Sequence, residues 1–347
     1  MAHPWRIGLL FVGFWIPRIA FAEPPPATPQ QVKQTVDRAI GYLRAESAAW
    51  MAQRKCAACH HAAMPLWAMS EAGRLGYAID QKFVTDTFES VLGGRQKMID
   101  SKIEADPAAP PDPRPMARGV NTGAVFMAAV AGFGPSLDEG QRQSVAYIAA
   151  DIVKKQQAAD GSWEFFLCRP PINQDQATDV AWILMALQAE RGPDVPASHR
   201  AALAKGMAWL AAAEPLDRHQ VKALKLLVAI RGGAAREKVQ GDLNELLSMQ
   251  RSDGGWAQTD AQPASDAYAT GQALYVLALG GFTAERVEIR RGIDFLVSTQ
   301  KPDGSWPMTS RGTPDGRPGS AKLLTPINCA AGAWATLGLA RLVPQRP

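Results

Sequence analysis

Gln300-Lys301-Pro302-Asp303-Gly304-Ser305-Trp306 is one of three copies of a single pattern. The others are Gln157-Ala158-Ala159-Asp160-Gly161-Ser162-Trp163 and Gln250-Arg251-Ser252-Asp253-Gly254-Gly255-Trp256. Each Asp-Gly pair marks a turn. Gln and Trp on either side of it can tie that turn to a neighbouring element. Working backward from each Gln, an apolar stripe at helical spacing appears: Val153, Leu246 and Leu296 four residues before it, Ala150, Leu243 and Ile293 seven before it. The same stripe stands without a Trp ahead of Ser47 (Ile40, Leu43), Gln96 (Leu92) and Glu214 (Met207, Leu210). Six anchors result, at positions 47, 96, 157, 214, 250 and 300.

A second, more apolar helix follows each anchor. The spacing starts these helices near Cys59-His60, Asn121-Thr122, Ala177-Thr178, Gln220-Val221, Ala269-Thr270 and Cys329-Ala330. An amphipathic helix followed by an almost wholly apolar one, six times over, predicts an all-α closed double ring. In this (α/α)6 toroid the amphipathic helices lie outside and the apolar ones inside. The expected organisation is a signal peptide over 1–22, a Pro-rich linker over 23–31 and one toroid of six helical hairpins over 32–343.

Register by eye brings Met64, Phe126, Trp182, Lys225, Leu274 and Trp334 to one level of the inner ring. The links from outer to inner helices emerge at one end, where binding is expected.

The N-terminus carries Arg6, an apolar run from Ile7 to Ile16 and an Ala20-Phe21-Ala22 cleavage signal. It predicts export to the periplasm, or otherwise out of the cytoplasm, with cleavage near Ala22 and no membrane span in the mature chain. The formal charge of +4 falls to +2 when Arg6 and Arg18 leave, which speaks against a nucleic-acid partner.

Lys55-Cys56-Ala57-Ala58-Cys59-His60-His61 holds C-x-x-C-H, the attachment pattern of a c-type haem. Cys56 and Cys59 would form the thioethers and His60 the axial bond to iron. No distal ligand stands out, and an open sixth position would admit a small ligand. Two other chemistries fit the residues. Cys56 and Cys59 could close a strained disulfide, with Cys168 and Cys329 as a separate bridge. Cys56, Cys59, His60 and His61 could hold a metal ion.

The three Gln–Asp–Gly–Trp segments resemble the QW motifs of the squalene–hopene cyclase and prenyltransferase superfamily. That resemblance implies the α/α toroid. With Cys56-Ala57-Ala58-Cys59-His60-His61, Arg169-Pro170-Pro171-Ile172 and Asp303 to Arg311, the chain also resembles an exported bacterial subgroup with an N-terminal C-x-x-C-H motif. The Asp-x-Asp-Asp acid of class II cyclases is absent from the sequence. So are the Asp-x-Cys and His zinc ligands of the protein prenyltransferases and the Cys-Gly-Glu-Gln thioester.

Asp160, Asp253 and Asp303 read as turn residues. Asp179 and Asp266, near the starts of inner helices, read as helix caps or as a general acid. Arg169 and Arg311 could hold haem propionates or an anionic substrate.

The leading expectation is an exported toroid with one covalent haem c, in electron transfer with a redox partner or as a haem-dependent accessory. One alternative is a cyclase-like enzyme acting on an isoprenoid or other apolar small molecule. The other is a non-catalytic binding scaffold. Whether the chain is an enzyme is left open by its sequence.

Overall fold

The computed structural model describes residues 25–53, 59–100, 138–154, 158–164, 172, 175–190, 194–213, 218–308 and 324–345. Among them the chain is helical, with no strand. The outer layer is α1 (Pro29–Gln53), α3 (Gln81–Asp100), α4 (Glu139–Lys154), α6 (Ala197–Ala212), α8 (Arg236–Ser248) and α10 (Val287–Thr299). The inner layer is α2 (Met64–Arg74), α5 (Gln176–Leu187), α7 (Arg218–Arg231), α9 (Ala267–Leu279) and α11 (Leu324–Leu342). A π-helical turn over Cys59–Ala63 leads into α2. The inner helix expected from Asn121-Thr122 lies outside the described residues.

Composition sorts the two layers. Every residue of α5 from Ala177 to Leu187 is buried, whereas α10 buries only Ile289, Gly292, Ile293 and Leu296. The inner helices pack in the order α5, α7, α9, α11, α2, so the last hairpin meets the first. Contact between α9 and α11 is close because Gly271 faces the α11 backbone. A β-carbon there would stand 2.4 Å from the Trp334 carbonyl carbon and the Ala335 nitrogen.

The repeated turn explains how one hairpin is fastened to the next. Gly161, Gly254 and Gly304 have φ of 94°, 87° and 87°, a region open to glycine. Asp160, Asp253 and Asp303 each accept a bond from the backbone N–H two residues on, at 2.9, 3.0 and 2.9 Å. The turn then presses its glycine onto the following outer helix, against the backbone of Lys205 and Arg291 in the first two cases. In the third case the following helix is α1, and Gly304 lies against the Arg38 carbonyl. Gln250 Nε2 bridges the Gly254 carbonyl (2.8 Å) and the Glu288 carbonyl of α10 (2.6 Å). Gln300 Nε2 repeats this with Gly304 (3.1 Å) and Thr35 of α1 (2.9 Å). The ring is therefore closed by the same device that joins its interior repeats.

The indoles lock the turns to the helices they follow. Trp163, Trp256 and Trp306 are at most 1% exposed, and each Nε1 donates at 2.8 Å to a carbonyl of its own outer helix, Ile152, Leu246 and Leu296. In the first two hairpins, which lack the turn, the outer helix does not stop at the anchor. The helix α1 runs past Ser47 to Gln53, and α3 runs past Gln96 to Asp100. Nothing there supplies a left-handed glycine to end them.

Two register expectations are corrected. Lys225 does not face the ring centre: its Nζ donates to the Ala213 carbonyl, 2.6 Å away at the end of α6. Leu274 turns toward the outer layer, packing with Trp256 on Gly292. Apolar residues cover almost the whole circumference of these helices, so periodicity alone does not orient them.

Candidate functional site

The centre of the ring is aromatic. The Trp67 ring of α2 lies 6.3 Å from Trp182 of α5, 5.6 Å from Tyr275 of α9 and 5.1 Å from Trp334 of α11. Trp334 also meets Trp182 at 6.2 Å, Tyr268 at 6.3 Å and Tyr275 at 6.0 Å. All five side chains are at most 2% exposed. Most of these contacts are edge-to-face, the arrangement the ring quadrupoles favour. Trp182 and Trp334 are the members of the predicted ring that meet here. Trp67 and Tyr275 stand three and one residues from the expected Met64 and Leu274, and Tyr268 about two turns before Leu274; register shifts along such apolar helices leave little trace in the sequence.

Polar atoms are enclosed with them. Gln272, fully buried, sits four residues after Tyr268 and three before Tyr275, on the same side of α9. Among the described residues neither its amide oxygen nor its nitrogen has a hydrogen-bond partner, and the same holds for Nε1 of Trp67 and of Trp334. An enclosed, unsatisfied polar group costs about 1–3 kcal/mol. Three such side chains on the inner helices are the polar groups here that call for an explanation.

Charged groups seal the end of the ring away from the long links. Glu71, 5% exposed, pairs with Arg74 and, at 3.2 Å, with Arg341 of α11. The Arg231 guanidinium lies 4.7 Å above the Trp67 ring. Burial, helped by the Glu71 charge, pushes the Tyr275 phenol above its usual pKa.

At the opposite end lie the candidate acids and His60. Asp179 is 2% exposed in the first turn of α5, three residues before Trp182 and on the same side of the helix. Asp266 is the N-cap of α9. It accepts the Ala269 N–H at 2.9 Å and the side-chain amides of Gln258 (2.8 Å) and Gln262 (2.9 Å). Its oxygens are occupied in a structural role. Asp175, not singled out from the sequence, caps α5 through a reciprocal pair with Thr178. The Ser/Thr/Asp-rich helix start was the available signal for it.

His60 is half-buried in the π-helical turn, a distortion common at functional sites. Its ring is 5.4 Å from Trp50 and 4.7 Å from His61. His61 is 1% exposed and stacks on Trp50 at 4.2 Å. Among the described residues neither ring nitrogen of His61 makes a hydrogen bond, and Glu46 Oε2 stands 3.9 Å from its Nε2. Of Cys59 the backbone alone is described, beside His60 at the start of the turn; Cys56, Cys168, Arg169, Phe126 and Arg311 lie outside the described residues. Cys329 is a buried thiol whose pKa burial and the Glu46 charge push well above the usual value. It is therefore a poor nucleophile. Among the described residues no three His, Cys, Asp or Glu side chains are grouped to hold a metal ion. Of the residues that would hold a haem, only the His60 side chain is among the described ones, at the start of the first inner helix.

Burial lowers the His61 pKa from 6.5 to about 4. The folded protein thus keeps His61 neutral where the unfolded chain would protonate it. This contribution to stability is intact above pH 6.5 and is lost as pH falls from 6.5 through about 4. Thermal melts between pH 7 and 4 should show Tm falling more steeply for the native protein than for His61→Phe, which keeps the stack on Trp50. Parallel profiles would show that His61 is not held neutral.

Among the described residues no helix is long and apolar enough to cross a membrane. No protein-family model matches the chain. It is 32% identical over 116 residues to a drimenyl diphosphate synthase of Streptomyces showdoensis, which is 33% of this chain and 21% of that enzyme. Its structure is similar to that of ent-copalyl diphosphate synthase from Streptomyces platensis, with 19% identity and a TM-score of 0.49, over 79% of this chain and 50% of the other. The chain thus spans about a fifth of the curated relative and half of the solved one.

Proposed function

We propose that this protein is a terpenoid-cyclase-like toroid that binds an isoprenoid-class molecule at its aromatic centre and acts on it there. The observation that carries this reading is the convergence of Trp67, Trp182, Tyr268, Tyr275 and Trp334 around the unpartnered Gln272 amide. Aromatic faces hold an apolar chain and stabilise positive charge developing on it. The Gln272 amide and the two indole N–H groups take a ligand oxygen or a water. In this reading Asp179, one turn nearer the ring mouth, delivers the proton. The sequence likeness to a drimenyl diphosphate synthase supports the same substrate class. The test is incubation of the mature protein with squalene, farnesyl diphosphate and geranylgeranyl diphosphate, with products followed by gas chromatography and mass spectrometry. A cyclised product is expected from one of them. Neither product nor saturable binding with any would overturn the reading.

A second reading is favoured by the C-x-x-C-H segment. In it Cys56 and Cys59 carry a covalent haem c and His60 ligates its iron at the ring mouth, in a protein exported after cleavage near Ala22. Haem there would supply redox chemistry or electron transfer. Expression in a periplasm with active cytochrome c maturation should give a c-type pyridine haemochrome that survives denaturing electrophoresis. Replacing both Cys56 and Cys59 by Ser should abolish that covalent attachment. A colourless native protein under those conditions would exclude the haem.

A further inference from the structure

The fourth hairpin lacks the Gln–Asp–Gly–Trp turn, and its absence leaves a place for an indole. In the hairpins that have the turn, the indole fills a groove between its own outer helix, its own inner helix and the next outer helix. Trp256 is the clearest case. Its Nε1 donates to the Leu246 carbonyl at 2.8 Å, and a β-carbon at Gly292 of α10 would stand 2.9 Å from both its ring and Leu274. Trp163 relates to Gly206 of α6 and Leu184 in the same manner, at 2.9 and 2.7 Å.

In the sequence Glu214 follows Leu210 by four residues, as Gln250 follows Leu246, so Leu210 corresponds to Leu246. The Leu246 carbonyl accepts the Met249 N–H at 3.3 Å in addition to its indole. The Leu210 carbonyl accepts the Ala213 N–H at 3.4 Å, and among the described residues no indole N–H donates to it. The position of Gly292, four residues before the stripe leucine, is taken in α8 by Asp242. Asp242 is exposed, and no ring covers it. Between α6, α7 and α8 lies a pocket of about 470 Å³ lined by Met207, Leu210, Val221, Lys225, Leu226 and Asp242. Its size is that of a small-molecule site.

We propose that this pocket binds a planar aromatic group bearing a ring N–H, an indole, whose N–H donates to the Leu210 carbonyl. The occupant is either a free indole compound or the tryptophan side chain of a peptide. The chain itself supplies the precedent, since the equivalent grooves of other hairpins hold that ring in that orientation. The site is distinct from the aromatic centre and stands whether or not the toroid acts on an isoprenoid.

Fluorine NMR of the mature protein with 5-fluoroindole should show saturable broadening that unlabelled indole reverses. Naphthalene, of like shape without the N–H, should compete about five- to tenfold less well. Ala211→Trp, at an exposed residue lining the pocket, should abolish the broadening. Lys82→Trp, exposed on α3, should leave it unchanged. A capped 5-fluorotryptophan amide that binds more tightly than 5-fluoroindole would assign the site to a peptide, and the reverse order to a small molecule. Broadening that does not saturate, that survives Ala211→Trp, or that naphthalene reverses as well as indole would overturn the proposal.

Discussion

Replacing Trp306 by alanine should destabilise the protein by about 3–5 kcal/mol, the usual cost of deleting a large buried aromatic side chain. Trp306 is fully buried, and its indole holds the Leu296 carbonyl at 2.8 Å. Its place in the fold argues for the upper part of that range. The turn it anchors carries Gln300, which bonds Thr35 of the first helix, and Gly304, which rests on Arg38. Losing the anchor therefore loosens the seam between the last hairpin and the first, where no covalent link crosses. Urea unfolding followed by circular dichroism measures the effect. A loss below about 1.5 kcal/mol would mean that the seam is held by the α11–α2 contact alone. In that case the polar closure through Glu71 and Arg341, with the Gln345 N–H on the Leu75 carbonyl at 2.8 Å, would carry the ring.

The second large effect is catalytic and rests on the isoprenoid reading. Asp179→Asn removes the proton a general acid would deliver while keeping the size of the side chain. Product formation should fall by about 10²–10⁴-fold, the usual contribution of a positioned acid. Asp266→Asn is the matched control. Asn is as good an N-cap as Asp, so α9 should keep its start and turnover should stay within about threefold of the native rate. The assignment of the acid fails if Asp179→Asn turns over at the native rate, or if Asp266→Asn is the variant that loses it. The contrast has a structural basis. Asp266 holds three donors around its carboxylate at the cap, whereas Asp179 stands one turn deeper, next to Trp182 on the side of α5 that faces the aromatic cluster.

The layered ring was legible because its evidence is local. A Gln, an Asp-Gly pair and a Trp at constant spacing, each preceded by a 3.6-residue apolar stripe, specify helix, turn and staple without knowledge of anything distant. The start of the inner helix at Cys59-His60 was legible for the same reason. The facing of the inner helices was not. Trp182 and Trp334 were placed at the centre, but Leu274 was assigned there in place of Tyr275, and Lys225 was turned inward.

The candidate site was legible only in its residue types. Asp266 could be read equally as a cap or as an acid, and Gln258 and Gln262 decide between these by closing on it across the link. Gln272 carried no signal. An amide in an apolar helix is unremarkable until its neighbours are seen to offer it nothing. The pocket of the fourth hairpin was half legible: the missing Trp is plain in the sequence, but Asp242 at the receiving position has meaning only against Gly206 and Gly292.

By itself the sequence determined the all-α repeat, the two layers and the positions where each turn docks. These depend on periodicity, on left-handed glycines and on caps, interactions that span a few residues. The tertiary structure alone decided which side of each inner helix meets the centre, that the sixth turn fastens onto the first helix, and that polar groups are enclosed there without partners. Those outcomes depend on how five nearly featureless apolar helices rotate about their axes. That rotation is set by shape, by the close approach at Gly271 and by the fit of one ring against another, and these are properties of pairs of residues far apart in the chain.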